Sequence, residues 1–282
     1  MRIAAPRHVL TAAAAAGLLL VAGCGSSGGG SSSGGGAAAN PAAAVRDAGM
    51  KVLSAGTSKL TLNSSTKIGA QAVQFSGEGV FDYGHKTGQL VIKLPAGGKG
   101  GGAEIQERIT GGFLYLALPN MPGAFYKVAL ADLGGTSLGS STDPSASFAA
   151  LNSVSNGVQK LGTEQVRGAS TTHYKGSIDV VKATAKTTGV AHDLVQALIK
   201  NGLKVLPFDA YVDDQGRLRK YVQVVMLPPT TKTGGKPIDS TTSIELYDFG
   251  TKLDVQAPPA AQVKDGAPLL KALKSAGAAA GS

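Results

Sequence analysis

The chain contains no tryptophan, one cysteine among 282 residues, and only 5% aromatic residues. A single cysteine cannot form an internal disulfide, so the stability of any exported folded part must come from burial. Past the first segment the histidines are His85, His173 and His192, each without a second histidine or cysteine at ligand spacing, and no metal site is expected. Charge is sparse too, at 16% of residues, with 27 Lys+Arg against 18 Asp+Glu for a formal +9. The lysines are scattered rather than clustered, which fits nucleic acid poorly and anionic lipid headgroups or cell-wall polymers better. The N-terminal apolar run, Val9 to Ala22, is shorter than the roughly 20 residues a spanning helix needs.

That run has the shape of an export signal: Arg2 and Arg7 precede it and small residues follow it. Val21-Ala22-Gly23-Cys24 resembles the lipobox of bacterial lipoproteins, with Val21 where leucine is commoner. The resemblance implies that residues 1–23 are a signal peptide and that the sulfur of Cys24 carries a diacylglyceryl group. Two acyl chains satisfy the requirement for stable anchoring, since one chain binds only marginally. The protein is then expected on the extracytoplasmic face of the cell membrane, lipid-anchored. Gly25 to Gly36 contains only Gly and Ser, so residues 24–40 read as a flexible tether with a reach of roughly 20–25 Å.

Residues 41–265 are long enough for one sizeable core, and one domain is expected there. Pro41 to Ala55 reads as a helix, with Ala42, Val45, Met50, Val52 and Leu53 as an uneven apolar stripe and Gly56 as its stop. Beyond it the period becomes two. Leu60 and Leu62 alternate with polar residues, Val73 with Phe75, Leu90 with Ile92 and Leu94, and Ile105 with Ile109, each run separated from the next by glycine-rich turns. Such a series predicts an antiparallel meander. Phe113 to Leu118 is apolar on both faces and should be covered on both. A second helix is predicted over Pro144–Leu161 and a third over Val190–Lys200. Strands are predicted over Glu164–Arg167, Thr171–Val181, Pro207–Val212, Arg217–Leu227 and Thr242–Phe249, with Asp213-Asp214-Gln215-Gly216 as a hairpin turn. Residues 266–282 read as an Ala/Gly-rich tail, with a fraying helix around Leu269–Leu273. The class is α+β, an amphipathic sheet burying against three apolar-striped helices.

Several phrases carry a further resemblance. Phe113-Leu114-Tyr115-Leu116-Ala117-Leu118-Pro119 is followed by Phe125-Tyr126-Lys127-Val128. Then come Val166-Arg167-Gly168-Ala169-Ser170-Thr171-Thr172-His173-Tyr174, Tyr211-Val212-Asp213-Asp214-Gln215-Gly216-Arg217-Leu218 and Tyr247-Asp248-Phe249-Gly250. In this order, behind a lipobox, they resemble the actinobacterial LppX/LprG lipoproteins and their LolA-like relatives, over about residues 42–263. The resemblance implies a curved antiparallel half-barrel whose concave face is closed by helices, with an apolar cavity for acyl chains. Phe75, Phe81, Leu90, Ile92, Leu114, Leu116 and Val128 are the candidate cavity-lining residues. The implied role is to bind or carry a lipid or glycolipid outside the cytoplasmic membrane, as a monomer, with an export transporter or cell-wall polymer as a further partner. The alternative is a non-carrier lipoprotein with a filled core that recognises a partner protein or cell-wall polymer.

Catalytic motifs do not gain support. Ser64-Ser65-Thr66-Lys67 matches S-x-x-K, and Lys86-Thr87-Gly88 and Lys232-Thr233-Gly234 match K-T-G, the outer motifs of serine acyl-enzymes. That chemistry needs Ser64 and Lys67 on the first turn of a helix, whereas the residues around them alternate as a strand and no S-D-N occurs. Gly98-Lys99-Gly100-Gly101-Gly102-Ala103 lacks the βαβ context of a dinucleotide fingerprint and reads as a hairpin loop. His173 with Asp179 could suggest a general base, and a strand histidine holding a hydrogen bond is the simpler reading. Asp209, Asp213 and Asp214 sit where aspartate serves turn hydrogen bonds. No enzyme activity and no cofactor are expected.

Overall fold

Asn40 opens the first helix: its Oδ1 accepts the Ala42 amide at 3.0 Å, and Pro41 supplies a pre-set first turn. Helix α1 then runs Pro41–Ser54 and buries Ala42, Val45, Ala48, Gly49 and Val52, the spacing of one helical face. Full burial of Val45 and Val52 stabilises by about 1.5–3 kcal/mol each. Met50, expected in that stripe, is half exposed instead. The stripe is set by Gly49, where a Cβ would lie 2.8 Å from the Phe148 carbonyl oxygen, so the helix turns its smallest residue toward its neighbour.

The computed structural model describes residues 40–95, 102–133, 144–155, 157–184, 192, 196, 199–200, 202–229 and 234–272. The signal segment, Cys24, the Gly/Ser tether and most of the expected Val190–Lys200 helix lie outside the described residues. So does most of the Gly98–Ala103 loop. Residues from Ala39 onward form one compact unit.

Twelve strands make a single sheet: β1 Thr57–Ile68, β2 Gln71–Asp82, β3 Thr87–Lys93, β4 Glu104–Thr110, β5 Phe113–Ala117, β6 Phe125–Ala129, β7 Gln159–Val166, β8 Ala169–Asp179, β9 Val205–Asp213, β10 Leu218–Leu227, β11 Ile238–Tyr247 and β12 Val263–Asp265. Their order is β12-β6-β5-β4-β3-β2-β1-β11-β10-β9-β8-β7, so two meanders join where β1 pairs with β11. Every pairing is antiparallel except β12 with β6. The sheet is curved and unclosed, and no helix among the described residues is long and apolar enough to cross a membrane. Twist in so wide a sheet brings distant corners together. Arg167, in the β7–β8 turn, donates to Glu245 of β11 at 2.8 Å and to Thr61 of β1 at 3.0 Å, although β9 and β10 lie between β8 and β11.

Two expectations need correction. The predicted helix over Pro144–Leu161 is a short helix, Ser145–Ala150, followed by a single tight turn, Leu151–Ser153. Val154 then bridges Ile178, and β7 begins at Gln159, so strand pairing with β8 takes over the second half. Phe148, Leu151, Val154 and Val158 are still buried, while Leu161 is 52% exposed. Helical spacing therefore marked which residues are inside without marking a helix. Secondly, the C-terminal region does more than fray. Val263–Asp265 pairs with the β6 edge, and residues 267–272 are helical.

Candidate functional site

A strict alternation runs through all the central strands, and the register shows which side chains share a face. Leu60 and Leu62 of β1 stand opposite Gly79 and Gly77 of β2, which stand opposite Leu90 and Ile92 of β3. Leu90 faces Glu107 of β4, Glu107 faces Leu116 of β5, and Leu114 faces Val128 of β6. In the other direction Leu62 faces Ile244, Ile244 faces Tyr221, and Tyr221 faces Ala210. All seven candidate residues, Phe75, Phe81, Leu90, Ile92, Leu114, Leu116 and Val128, thus lie on this one inner face. Six of them belong to the main apolar core or pack against it, Ile92 being buried beside them.

Helices cover this face unevenly. Over β9 and β10 α1 packs directly, and Phe148 of the short helix meets Tyr83, their rings 6.0 Å apart. Over β1–β3 the inner face loses side chains at Gly77, Gly79 and Gly88. At Gly79 a Cβ would sit 2.2 Å from the Gln89 carbonyl oxygen, so glycine there permits a close approach of β2 and β3. A cavity of about 250 Å³ lies above these strands, lined by Leu60, Leu62, Phe75, Phe81, Leu90 and Ile244 with Gln223, Thr242, Pro144 and Ser147. Of the seven candidates, Phe75, Phe81 and Leu90 line it, whereas Ile92, Leu114, Leu116 and Val128 lie on the same face outside it.

Two polar atoms are buried on the inner face without a hydrogen-bond partner among the described residues. Glu107, 2% exposed, has an Oε2 that makes no hydrogen bond among the described residues, and Tyr221 has an unbonded hydroxyl. Burial pushes the Glu107 carboxyl up to about 7, and burial likewise raises Tyr221 far above its ordinary value. Glu107 was not among the candidates, yet its parity with Ile105 and Ile109 already placed it on their face.

The outer face is polar and paired. A groove of about 540 Å³ there is lined by Lys59, Glu78, Lys93, Arg108 and Tyr247, charges of both signs. His173 is on this face too, its ring nitrogens 2.7 Å from Glu164 and 2.8 Å from Asp209, its ring stacked 4.3 Å from Tyr211. Asp179 is not its partner; that carboxylate accepts the Lys182 amide. Ser64 and Lys67 fall on opposite faces of β1, and Ser64 Oγ meets Thr242 Oγ1 at 3.3 Å, so the S-x-x-K pair does not assemble. Asp213 serves its turn as expected, accepting the Gln215 and Arg217 amides and the Arg217 and Arg219 side chains. Among the described residues no group of three or more His, Cys, Asp or Glu could hold a metal.

No family model matches the chain. Over 122 residues it is 31% identical to an uncharacterized 31.2 kDa protein in the rplA-rplJ intergenic region of Streptomyces griseus, a stretch covering 42% of this chain. The match spans only 37% of that relative's length. Among solved structures, LprF from Mycobacterium bovis is similar at 14% identity and a TM-score of 0.47, covering 78% of this chain and 97% of that one. The Mycobacterium tuberculosis lipoprotein LppX is similar at 14% identity and a TM-score of 0.47, covering 77% and 98%. The lipoprotein group that the sequence phrases resemble is thus the group these two structures come from.

Proposed function

We propose that this chain is a cell-envelope lipoprotein that holds the acyl chains of a lipid or glycolipid between its sheet and its helices. In this reading Cys24 carries the diacylglyceryl anchor, residues 25–40 are the tether, and residues 41–265 form the binding domain. The observation that carries it is the largely apolar inner face, on which α1 packs over β9 and β10 while a lined space remains over β1–β3. An acyl chain gains roughly 0.8 kcal/mol per CH₂ on leaving water, and little on leaving a bilayer for an equally apolar space. Transfer then needs a shielded path more than a driving force. Burial favours the neutral form of Glu107, on the same face beside this space, as pH falls below about 7.

One observation favours a second reading. The cavity, at about 250 Å³, is below the roughly 300–1,000 Å³ usual for small-ligand sites. An interaction lipoprotein with a nearly filled core, recognising a partner protein or cell-wall polymer, fits that volume. Native mass spectrometry with lipid extraction separates the two, run on the intact protein and on a Cys24→Ala form. A lipid retained by both forms supports binding within the fold. Empty protein in both, however gently prepared, rejects the first reading in favour of the second.

A further inference from the structure

We propose that Glu107 is the polar recognition residue of the inner space, its carboxyl hydrogen-bonding a free hydroxyl on a neutral lipid. The inference rests on the acyl-binding reading above and names the chemistry the bound lipid must carry. Glu107 stands in the middle of β4 on the inner face, between Ile105 and Ile109 along its own strand and between Leu90 of β3 and Leu116 of β5 across the sheet. It is 2% exposed, and its Oε2 has no hydrogen-bond partner among the described residues. Alternation at this position calls for another Leu or Ile, and an enclosed carboxyl oxygen without a partner destabilises the fold that carries it. Packing therefore gives no reason for a glutamate here. A ligand that pairs with it does.

Position and chemistry select the ligand. Leu90, directly opposite Glu107, and Ile109, farther along β4, both line the cavity over β1–β3, so the carboxyl sits one side chain back from its wall. Leu90 is only half buried, and a change of its rotamer joins the two. Along the cross-strand row of Glu107 the other titratable side chains are Tyr126 of β6 and Lys264 of β12, both beyond Leu116. No cation among the described residues stands beside Glu107 to hold a phosphate, which disfavours an anionic headgroup at this point. Burial favours the neutral carboxyl, which offers an O–H donor and an oxygen acceptor together. A hydroxyl matches both. An ether or ester only accepts, and an ammonium needs the carboxylate that burial disfavours. Tyr221, the other inner-face residue with an unbonded oxygen, stands opposite Ile244 on the strand that α1 packs against, and it provides a control.

The cavity, about 250 Å³, has room for about eight groups at roughly 30 Å³ each, the share of one water, and this sets the size of the probes. Octanol and its isomer heptyl methyl ether have the same atoms and differ in whether they donate a hydrogen bond. Each is titrated by calorimetry into the intact protein, freed of lipid, and into its Glu107→Leu, Glu107→Gln and Tyr221→Phe forms. A hydroxyl carried into an apolar space without a partner binds worse than an ether, so tighter binding of octanol reports pairing. The expected result is at least a threefold preference for octanol in the unsubstituted protein, in Glu107→Gln and in Tyr221→Phe. In Glu107→Leu the preference should reverse while affinity for the ether stays within twofold, with a thermal midpoint at or above that of the unsubstituted protein. A lower midpoint marks Glu107 as a structural residue and overturns the proposal. Preference for the ether in the unsubstituted protein, preference for octanol surviving in Glu107→Leu, or its loss in Tyr221→Phe also overturns it, and leaves the acyl-binding reading standing. Binding of neither probe overturns both.

Discussion

The two meanders of the sheet use the same alternation to different ends. In the β7–β11 half the inner face is filled: Phe208, Tyr221, Leu218 and Ile178 are almost wholly buried beneath α1 and its neighbours. Even the missing side chain of Gly176 is replaced there, since a Cβ would sit 2.9 Å from both Phe208 and Val158. In the β1–β6 half Gly77 has only ordinary contacts within its own sheet, Phe75 and Leu90 are half buried, and one oxygen of the Glu107 carboxyl is enclosed without a hydrogen bond among the described residues. One half is built as a packed core, where each removed atom costs transfer and cavity energy. The other tolerates space, and a binding function belongs where space is tolerated.

The sharpest way to break this contrast is to truncate the same side chain on each side. Phe208→Ala should lower unfolding free energy by about 3–5 kcal/mol, measured from urea midpoints. Phe75→Ala should cost only about 1–2 kcal/mol because its burial is partial. Equal losses would mean that the β1–β6 half is packed as tightly as its counterpart.

Next in size is the pH response of Glu107. Its folded value, about 7, is above the ordinary carboxyl value of 4.5, so the native state binds more protons between these limits. Stability is therefore full below the lower value and declines as pH rises through the upper one, by about 3 kcal/mol in all. Glu107→Gln should flatten that slope in a denaturation series from pH 4 to pH 8. An unchanged slope would show that the carboxyl is solvated.

Asp213 provides the opposite sign in the filled half. Burial alone would raise its carboxyl, but the Arg217 amide and the Arg217 and Arg219 side chains hold it below the usual carboxylate range. Its contribution is then present above the unfolded value and lost as pH falls through the folded one. Asp213→Asn should cost about 2–3 kcal/mol at pH 7, less than for a fully buried pair because both arginines are partly exposed, and little at pH 2.

The smallest expected effects compare two glycines. Gly77→Ala has room for its methyl and should be neutral or stabilising by up to about 1 kcal/mol. Gly176→Ala must displace Phe208 or Val158 and should destabilise by about 1–3 kcal/mol. Thermal midpoints of the two variants, moving in the same direction, would erase the distinction between the halves.

Much of this was legible in the chain. Phe75, Phe81, Leu90, Ile92, Leu114, Leu116 and Val128 were named from the family resemblance; parity joins them only within each strand, as Phe75 with Phe81, Leu90 with Ile92 and Leu114 with Leu116, and the register places all seven on one face. The β12 strand was not legible, since three residues carry no period and pair only because β6 offers a free edge. Leu161 misled for a related reason: Phe148, Leu151, Val154, Val158 and Leu161 keep helical spacing, but the bridge from Val154 to Ile178 draws the segment into the sheet.

By itself the sequence determined the alternating strands, the first helix with its Pro41 start and Gly56 stop, the hairpin turn at Asp213, and the export-signal pattern ending in Cys24. These depend on local chemistry: side-chain period, capping and backbone preference. Only the tertiary structure decided that β1 closes against β11, that α1 covers β9 and β10 rather than β2 and β3, and that Glu107 is enclosed with its Oε2 unpaired among the described residues. Those outcomes depend on which apolar surfaces meet across long stretches of chain, and burial, being non-directional, leaves no local mark of its partner.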